Sequence, residues 1–356
     1  VEAPLRAMLR PMDPLVIAHR GASGCRPEHT LAAYALAIEQ GADFIEPDLV
    51  STRDGVLVAR HENALALLHP DGSLREATTD VADRPEFAAR CRKKSIDGHA
   101  RIGWFTEDFT WAELQTLRAR ERLPALRGTA FDDRFAVPSL DQILSLLAEV
   151  NAHRPGRPVG LYPETKHPSH FQSLGLALEP PLVRALHGAG LRGPRAPVFI
   201  QSFEVANLRA LREMTELPLV QLVEPGGAPR DFTLSGDQRR YADLLTPAGL
   251  GEVARYAQAL GVHADLVIPR RLGGVLGTPT PLVARAHAAG LQVHAWTFRA
   301  ENRFLPAQFW RGTDPAAHGD LAGCLDAFLD AGLDGFFTDH PAQGRAAVQA
   351  RAARRG

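Results

Sequence analysis

Three clusters in this 356-residue chain place titratable groups where apolar runs stop. His19-Arg20-Gly21 follows Leu15–Ala18, Glu46 and Asp48 lie within Phe44–Val50, and Glu164 with Lys166 ends the run from Val159. Glu46 and Asp48 are two apart, so on a strand their side chains share one face. Carboxylates that close repel unless a cation sits between them or one is protonated. Oxygen ligands suit a hard divalent ion, Ca²⁺ or Mg²⁺, better than zinc, and Glu164 supplies a third carboxylate from a neighbouring strand. An isolated Glu-x-Asp is more often a solvated strand end. Pro47 removes a ladder donor between the two, which predicts a bulge there.

The spacing after Asp48 adds a histidine. Asp54-Gly55 is a favoured two-residue hairpin turn, and with those two residues as the loop, position 48 faces position 61. His61 then folds back beside Asp48; a different register shifts it by a residue or two. His19 and His61 become two imidazoles near one cation, a pair suited to giving and taking protons near neutral pH. Arg20 and Lys166 add positive charge that either meets a phosphate oxygen or pairs with the carboxylates. His69, His99, His153, His187 and His318 read as loop or helix-end residues without a partner pattern, and His167 and His170 merely flank Lys166.

Strand-then-helix alternation must position these groups. Strands are expected at Leu15–Ala18, Phe44–Val50, Val159–Glu164, Val198–Gln201, Leu219–Val223, Leu266–Ile268, Val293–Trp296 and Gly335–Thr338. Helices are expected at Thr30–Glu39, Leu140–Val150, Val205–Glu213, Leu250–Ala259, Pro281–Ala289 and Leu321–Ala331, with a last one after His340. Gly41, Gly190, Gly261, Gly290 and Gly332 read as helix terminators. Eight strands alternating with helices predict an α/β fold, a TIM (β/α)₈ barrel whose carboxyl-end mouth collects the charged groups. An open doubly wound sheet shares the alternation, but length and strand count favour the barrel. Residues 62–137 break the rhythm and read as an insertion after the second barrel strand, so that residues 1–356 form one catalytic domain. Pro225–Pro247 reads as a long, Gly/Pro-rich loop of functional length.

Composition narrows the partners. Lys plus Arg number 40 against 41 Asp plus Glu, so nothing suggests a polyanion such as nucleic acid. Cys25, Cys91 and Cys324 are scattered without a CxxC pair, which argues against a disulfide framework or structural zinc and leaves one disulfide open. No apolar run approaches the ~20 residues of a membrane helix. Val1 in place of Met reads as a removed leader or a trimmed chain. Oligomeric state is open.

In order, AHRGASGCRPEHTLAAY, GADFIEPDLVSTRDGVLVARHE, GLYPETK, QSF, VHAWTF and GFFTDHP resemble the glycerophosphodiester phosphodiesterase family, from about Val16 to Pro341. DLVSTRDG, TTDVADRPEF, DFTWAEL and LYPETKHP resemble its bacterial periplasmic branch. The resemblance implies metal-dependent hydrolysis of glycerophosphodiesters to glycerol 3-phosphate and an alcohol. His19 and His61 would form the acid–base pair, Glu46, Asp48 and Glu164 would hold one divalent cation, and Arg20 and Lys166 would hold the phosphate. It further implies that Glu28 supports His19 or the metal shell, that Phe203 and Trp296 line the glycerol side, and that Asp339 stabilises the mouth. In the family an internal glycerol hydroxyl is thought to attack first, giving a cyclic phosphate that water then opens. The branch implies a periplasmic or extracellular setting, and a cytoplasmic one stays open. Glu62-Asn63 after His61 departs from the family, which usually carries Asp, and Cys25 occupies a position often held by an aromatic or small residue. Two rivals stand beside this reading: a phospholipase D or sphingomyelinase D-like lipid enzyme, and a non-catalytic phosphodiester-binding surface protein.

Overall fold

The structure is a computed structural model that describes residues 13–154 and 156–355, so Val1 lies outside it. Its main sheet is a curled, TIM-barrel-like set of eleven strand segments whose neighbours pair in parallel, apart from one antiparallel hairpin arm at Leu57–Ala59. Leu15–His19 pairs on one side with Gly335–Thr338 and on the other with Phe44–Glu46, so the first and last strands of the chain are adjacent. Ile200–Ser202, Leu219–Val223, Ala259–His263 and Gln292–Phe298 follow in order around the curl.

Two staves are interrupted, each at a proline. The second splits at Pro47 into Phe44–Glu46 and Asp48–Ser51, and the third splits around Tyr162-Pro163 into Gly160–Leu161 and Glu164–Thr165. Proline has no N–H to give the ladder, so the pairing partner changes where it stands. Phe44–Glu46 pairs with Gly160–Leu161, while Asp48–Ser51 pairs with Glu164–Thr165. The breaks leave Glu46 just before Pro47, and Asp48 and Glu164 just after a proline.

Most expected helices are present: Leu31–Glu39, Leu140–Ala152, Val205–Met214, Leu282–Ala288, Leu321–Asp330 and Pro341–Arg355. Thr30 caps the first, its hydroxyl accepting from Ala33 N–H at 3.1 Å. The sixth strand is a correction. It runs Ala259–His263, not Leu266–Ile268, and the helix before it is Pro247–Val253. Gly261 was read as a helix terminator; it lies mid-strand, where an added Cβ would stand 2.5 Å from Leu222 Cδ2. Close packing, not a turn, calls for that glycine. Residues 225–247 hold short helices at Arg230–Ser235 and Tyr241–Leu244, so that stretch is more ordered than a plain loop.

Residues 62–137 carry a second, four-stranded antiparallel sheet made of Ala64–Leu68, Leu74–Ala77, Arg92–Ile96 and His99–Phe105. Its outer strands, LREA and RKKSI, are polar enough to hide their period from sequence reading. Leu67, Ile96 and Phe105 form a small core of their own beneath it. All three cysteines are free thiols. Among the described residues no helix is long and apolar enough to cross a membrane.

Candidate active site

His19, Arg20, Glu46, Asp48, His61, Glu164, Lys166, Phe203 and Trp296 all line one cavity of about 540 Å³. Glu46, Asp48 and Glu164 converge there, with ligand oxygens all within 4.8 Å of one another. Register explains the convergence: Glu164 lies opposite Asp48, and Glu46 lies opposite His19.

Three buried acids this close cannot all stay ionised without a counter-charge. Burial, then Asp48 and Glu164, push the Glu46 carboxyl well above its ordinary range. Burial and the Asp48 charge likewise raise Glu164 to about 8, although Lys166 opposes them. Asp48 stays well below its ordinary value despite burial, because Lys166 and a hydrogen bond with His29 stabilise the carboxylate. The Oε1 of Gln201, whose Nε2 donates to Glu46 at 2.9 Å, is buried without a partner. Such an all-oxygen donor set, short of positive charge, fits a hard divalent cation.

Both histidines reach the cavity, with different support. His19 Nδ1 lies 2.6 Å from Asp339 Oδ1. The other oxygen of Asp339 accepts from Arg127 at 2.6 Å and Arg299 at 2.7 Å. Burial, with the Arg20 guanidinium alongside, holds the His19 imidazole down at about 4. His61 arrives by a register one step from that expected. The loop is three residues, 53–55, closed by Thr52 N–H on Val56 O at 3.0 Å, with Gly55 at φ 81°. Leu49 therefore faces Ala59, and Arg60 N–H donates to Asp48 O at 2.9 Å, where His61 had been expected. The strand ends at Ala59, so His61 is free of the pleat and still turns into the cavity. Its Nδ1 is 3.2 Å from Glu62 Oε1, so the residue that departs from the family pattern stands beside it. Burial, Arg20 and Lys166 hold His61 well below its ordinary value.

The cations are paired with acids. Arg20 Nη1 donates to Glu28 at 2.9 Å, its Nε lies 3.5 Å from Asp48, and Lys166 Nζ is 2.9 Å from Glu164. Glu28 is bonded by Arg20 and Arg122 and does not line the cavity; the partner of His19 is Asp339. Phe203 and Trp296 meet edge to face with centroids 6.0 Å apart. Several contributors went unread in the sequence. His29, within the PEHT motif, sits 2.9 Å from Asp48 Oδ2. Gln201, within QSF, holds Glu46. Arg127 and Arg299 carry no local signal: both reach Asp339 from distant segments, and Arg299 also lines the cavity. His167, next to Lys166, stands between Asp97 at 2.5 Å and Glu62 at 2.9 Å.

Known proteins resemble most of this chain in sequence and in fold. Residues 19–343 match the glycerophosphoryl diester phosphodiesterase family. Glycerophosphodiester phosphodiesterase GDPD6 of Arabidopsis thaliana is 36% identical over 346 residues, covering 93% of this chain and 85% of that protein. The glycerophosphodiester phosphodiesterase of Haemophilus influenzae is 28% identical, covering 93% and 89%. Among solved structures, a Silicibacter pomeroyi protein assigned to the glycerophosphoryl diester phosphodiesterases superposes with TM-score 0.66 at 22% identity, covering 96% and 95%. An Oleispira antarctica phosphodiesterase, solved with sn-glycerol-3-phosphate, gives TM-score 0.59 at 20% identity, covering 94% and 97%. The structural likenesses speak for the fold; the family match, together with the Arabidopsis relative, speaks for kinship, and on that ground the chain belongs to the glycerophosphoryl diester phosphodiesterase family.

Proposed function

We propose that the chain hydrolyses glycerophosphodiesters to glycerol 3-phosphate and an alcohol, using His19 and His61 as an acid–base pair beside one divalent cation. What carries the reading is the meeting of Glu46, Asp48 and Glu164 in the cavity that both imidazoles line. Those three acids would hold Ca²⁺ or Mg²⁺, which when bound would polarise a phosphoryl oxygen as a Lewis acid. Arg20 and Lys166 add donors for the other phosphoryl oxygens. His19 offers Nε2 to substrate because Nδ1 is engaged by Asp339, a partner that also stabilises the imidazolium once a proton is taken. One ring, neutral, would take the proton from the attacking oxygen, whether glycerol hydroxyl or water, and the opposite ring, entering the step protonated, would give its proton to the departing alcohol. Phe203 and Trp296 offer apolar faces to the glycerol carbons.

Glycerol 3-phosphate release from glycerophosphocholine, lost with a chelator and restored by Ca²⁺ or Mg²⁺, is the test. Release undiminished by chelation defeats the metal assignment, and no release with any ion defeats the activity. Lysophosphatidylcholine, assayed beside it, separates the lipid-directed rival. The same reading takes residues 1–356 as one catalytic unit with 62–137 inserted in it, supported by Arg127, which reaches from that stretch to Asp339. Calorimetry showing two independent unfolding transitions would count against a single unit.

A further inference from the structure

A second cavity, of about 710 Å³, opens from the first and shares His61, Glu62, Glu164, Lys166, Phe203 and Glu224 with it. It lies between the four-stranded sheet and the 225–247 stretch. In a phosphoryl displacement the attacking and leaving oxygens lie roughly in line across phosphorus. With phosphorus beside the acids and glycerol toward Trp296, which lines only the first cavity, the alcohol points into the second.

The charges of that lining are unevenly spent. Arg122 is paired with Glu28, and Lys166 with Glu164. Glu62 and Asp97 are both engaged by His167, while Glu204 is bonded by Ser169 and raised to about 7 by burial. Arg75, Arg101 and Arg230 also line the cavity, and among the described residues their guanidinium groups have no hydrogen bond or ion pair. Arg75 and Arg101 come from the sheet, and Arg230 comes from the helix across from it. Asp97 also feels Arg230, Glu76 and Glu224 are the remaining acids of the lining, and burial raises the Glu224 carboxyl above its ordinary value. Guanidinium forks without protein acceptors are suited to the oxygens of a phosphate or carboxylate.

The geometry points to the second cavity as the subsite for the departing alcohol, with Arg101 and Arg230 reading an alcohol that carries its own negative charge. This rests on the phosphodiesterase reading above and names its substrate class. The test compares kcat/KM for bis(glycerophospho)glycerol, whose departing alcohol bears a phosphate, with that for glycerophosphocholine. The charged diester is favoured by the parent protein. Each of Arg101→Ala and Arg230→Ala lowers the ratio by about tenfold, the scale of one charge-assisted hydrogen bond. Thermal melts confirm that each variant folds, and the two lie on separate elements, so one misfolded variant leaves the other decisive. A preference for the choline diester, or an unchanged ratio in the folded variants, overturns the inference while the activity stands. Release from neither diester overturns the activity and this inference with it.

Discussion

His19 and Asp339 are 320 positions apart in sequence, yet their side chains meet at 2.6 Å. The contact exists because the first strand lies beside the last, with Ala18 opposite Thr338. Asp339 remains well below its ordinary carboxylate range despite burial, since Arg299, Arg127 and His19 all favour its charge. Asp339→Asn leaves His19 without an anionic partner and removes the control of its tautomer. Turnover of glycerophosphocholine is expected to fall by about 10²-fold with KM little changed, the scale of a disabled acid–base group. Steady-state kinetics on the folded variant check this; turnover within twofold of the parent would show that Asp339 serves the fold alone.

His61→Ala removes the second ring. Turnover is expected to drop by at least ~10²-fold, again the range for general acid–base loss. Glu62→Gln is a gentler change, since Glu62 touches His61 Nδ1 from one side only. A loss nearer tenfold is expected for it, within the ~10–100-fold typical of groups that orient a reacting ligand. Rates measured at saturating substrate compare the two; near-normal activity in His61→Ala removes that histidine from the mechanism.

Local sequence specifies only part of this site. Glu46 and Asp48 flank Pro47 on one broken stave, and the apolar runs before His19 and Glu164 mark the strand ends that carry them, so local pattern sufficed. The observed register of His61 differs by one step from the expected one because Asp54-Gly55 serves two-residue and three-residue loops alike, and Gly55 at φ 81° fits either. Gly261 misled for a similar reason. A glycine demanded by Leu222 packing looks the same in sequence as one demanded by a helix end. Arg127, Arg299 and His167 act across gaps that only tertiary folding closes, and no spacing rule reaches them.

A cation should change stability as well as rate. With Glu46 and Glu164 both raised in its absence, the acids compete for one ionised arrangement. A divalent ion that binds only the folded chain adds about 2.7 kcal/mol when its free concentration is a hundred times Kd. Melting temperature should therefore climb with Ca²⁺ or Mg²⁺ in the parent and stay flat in the Glu46→Gln, Asp48→Asn double variant. An equal climb in both would mean that the ion binds elsewhere.

His167 supplies a pH dependence that can be read separately from catalysis. Burial opposes its charge, but hydrogen bonds to Asp97 and Glu62 prevail and raise it to about 9, above the roughly 6.5 of an unfolded histidine. A folded value above the unfolded one means that the stabilisation is full below pH ~6.5 and lost as pH rises through about 9. The charged ring ties Asp97, at the turn between Arg92–Ile96 and His99–Phe105, to the segment after Lys166. His167→Gln removes that tie at every pH. The stability gap between parent and variant, from urea unfolding, should be widest near pH 6 and narrow steadily toward pH 9.5. Groups titrating in both proteins cancel in the difference. A gap that held constant, or widened as the solution became more alkaline, would mean that the ring is neutral in the folded protein and that its two carboxylates are held some other way.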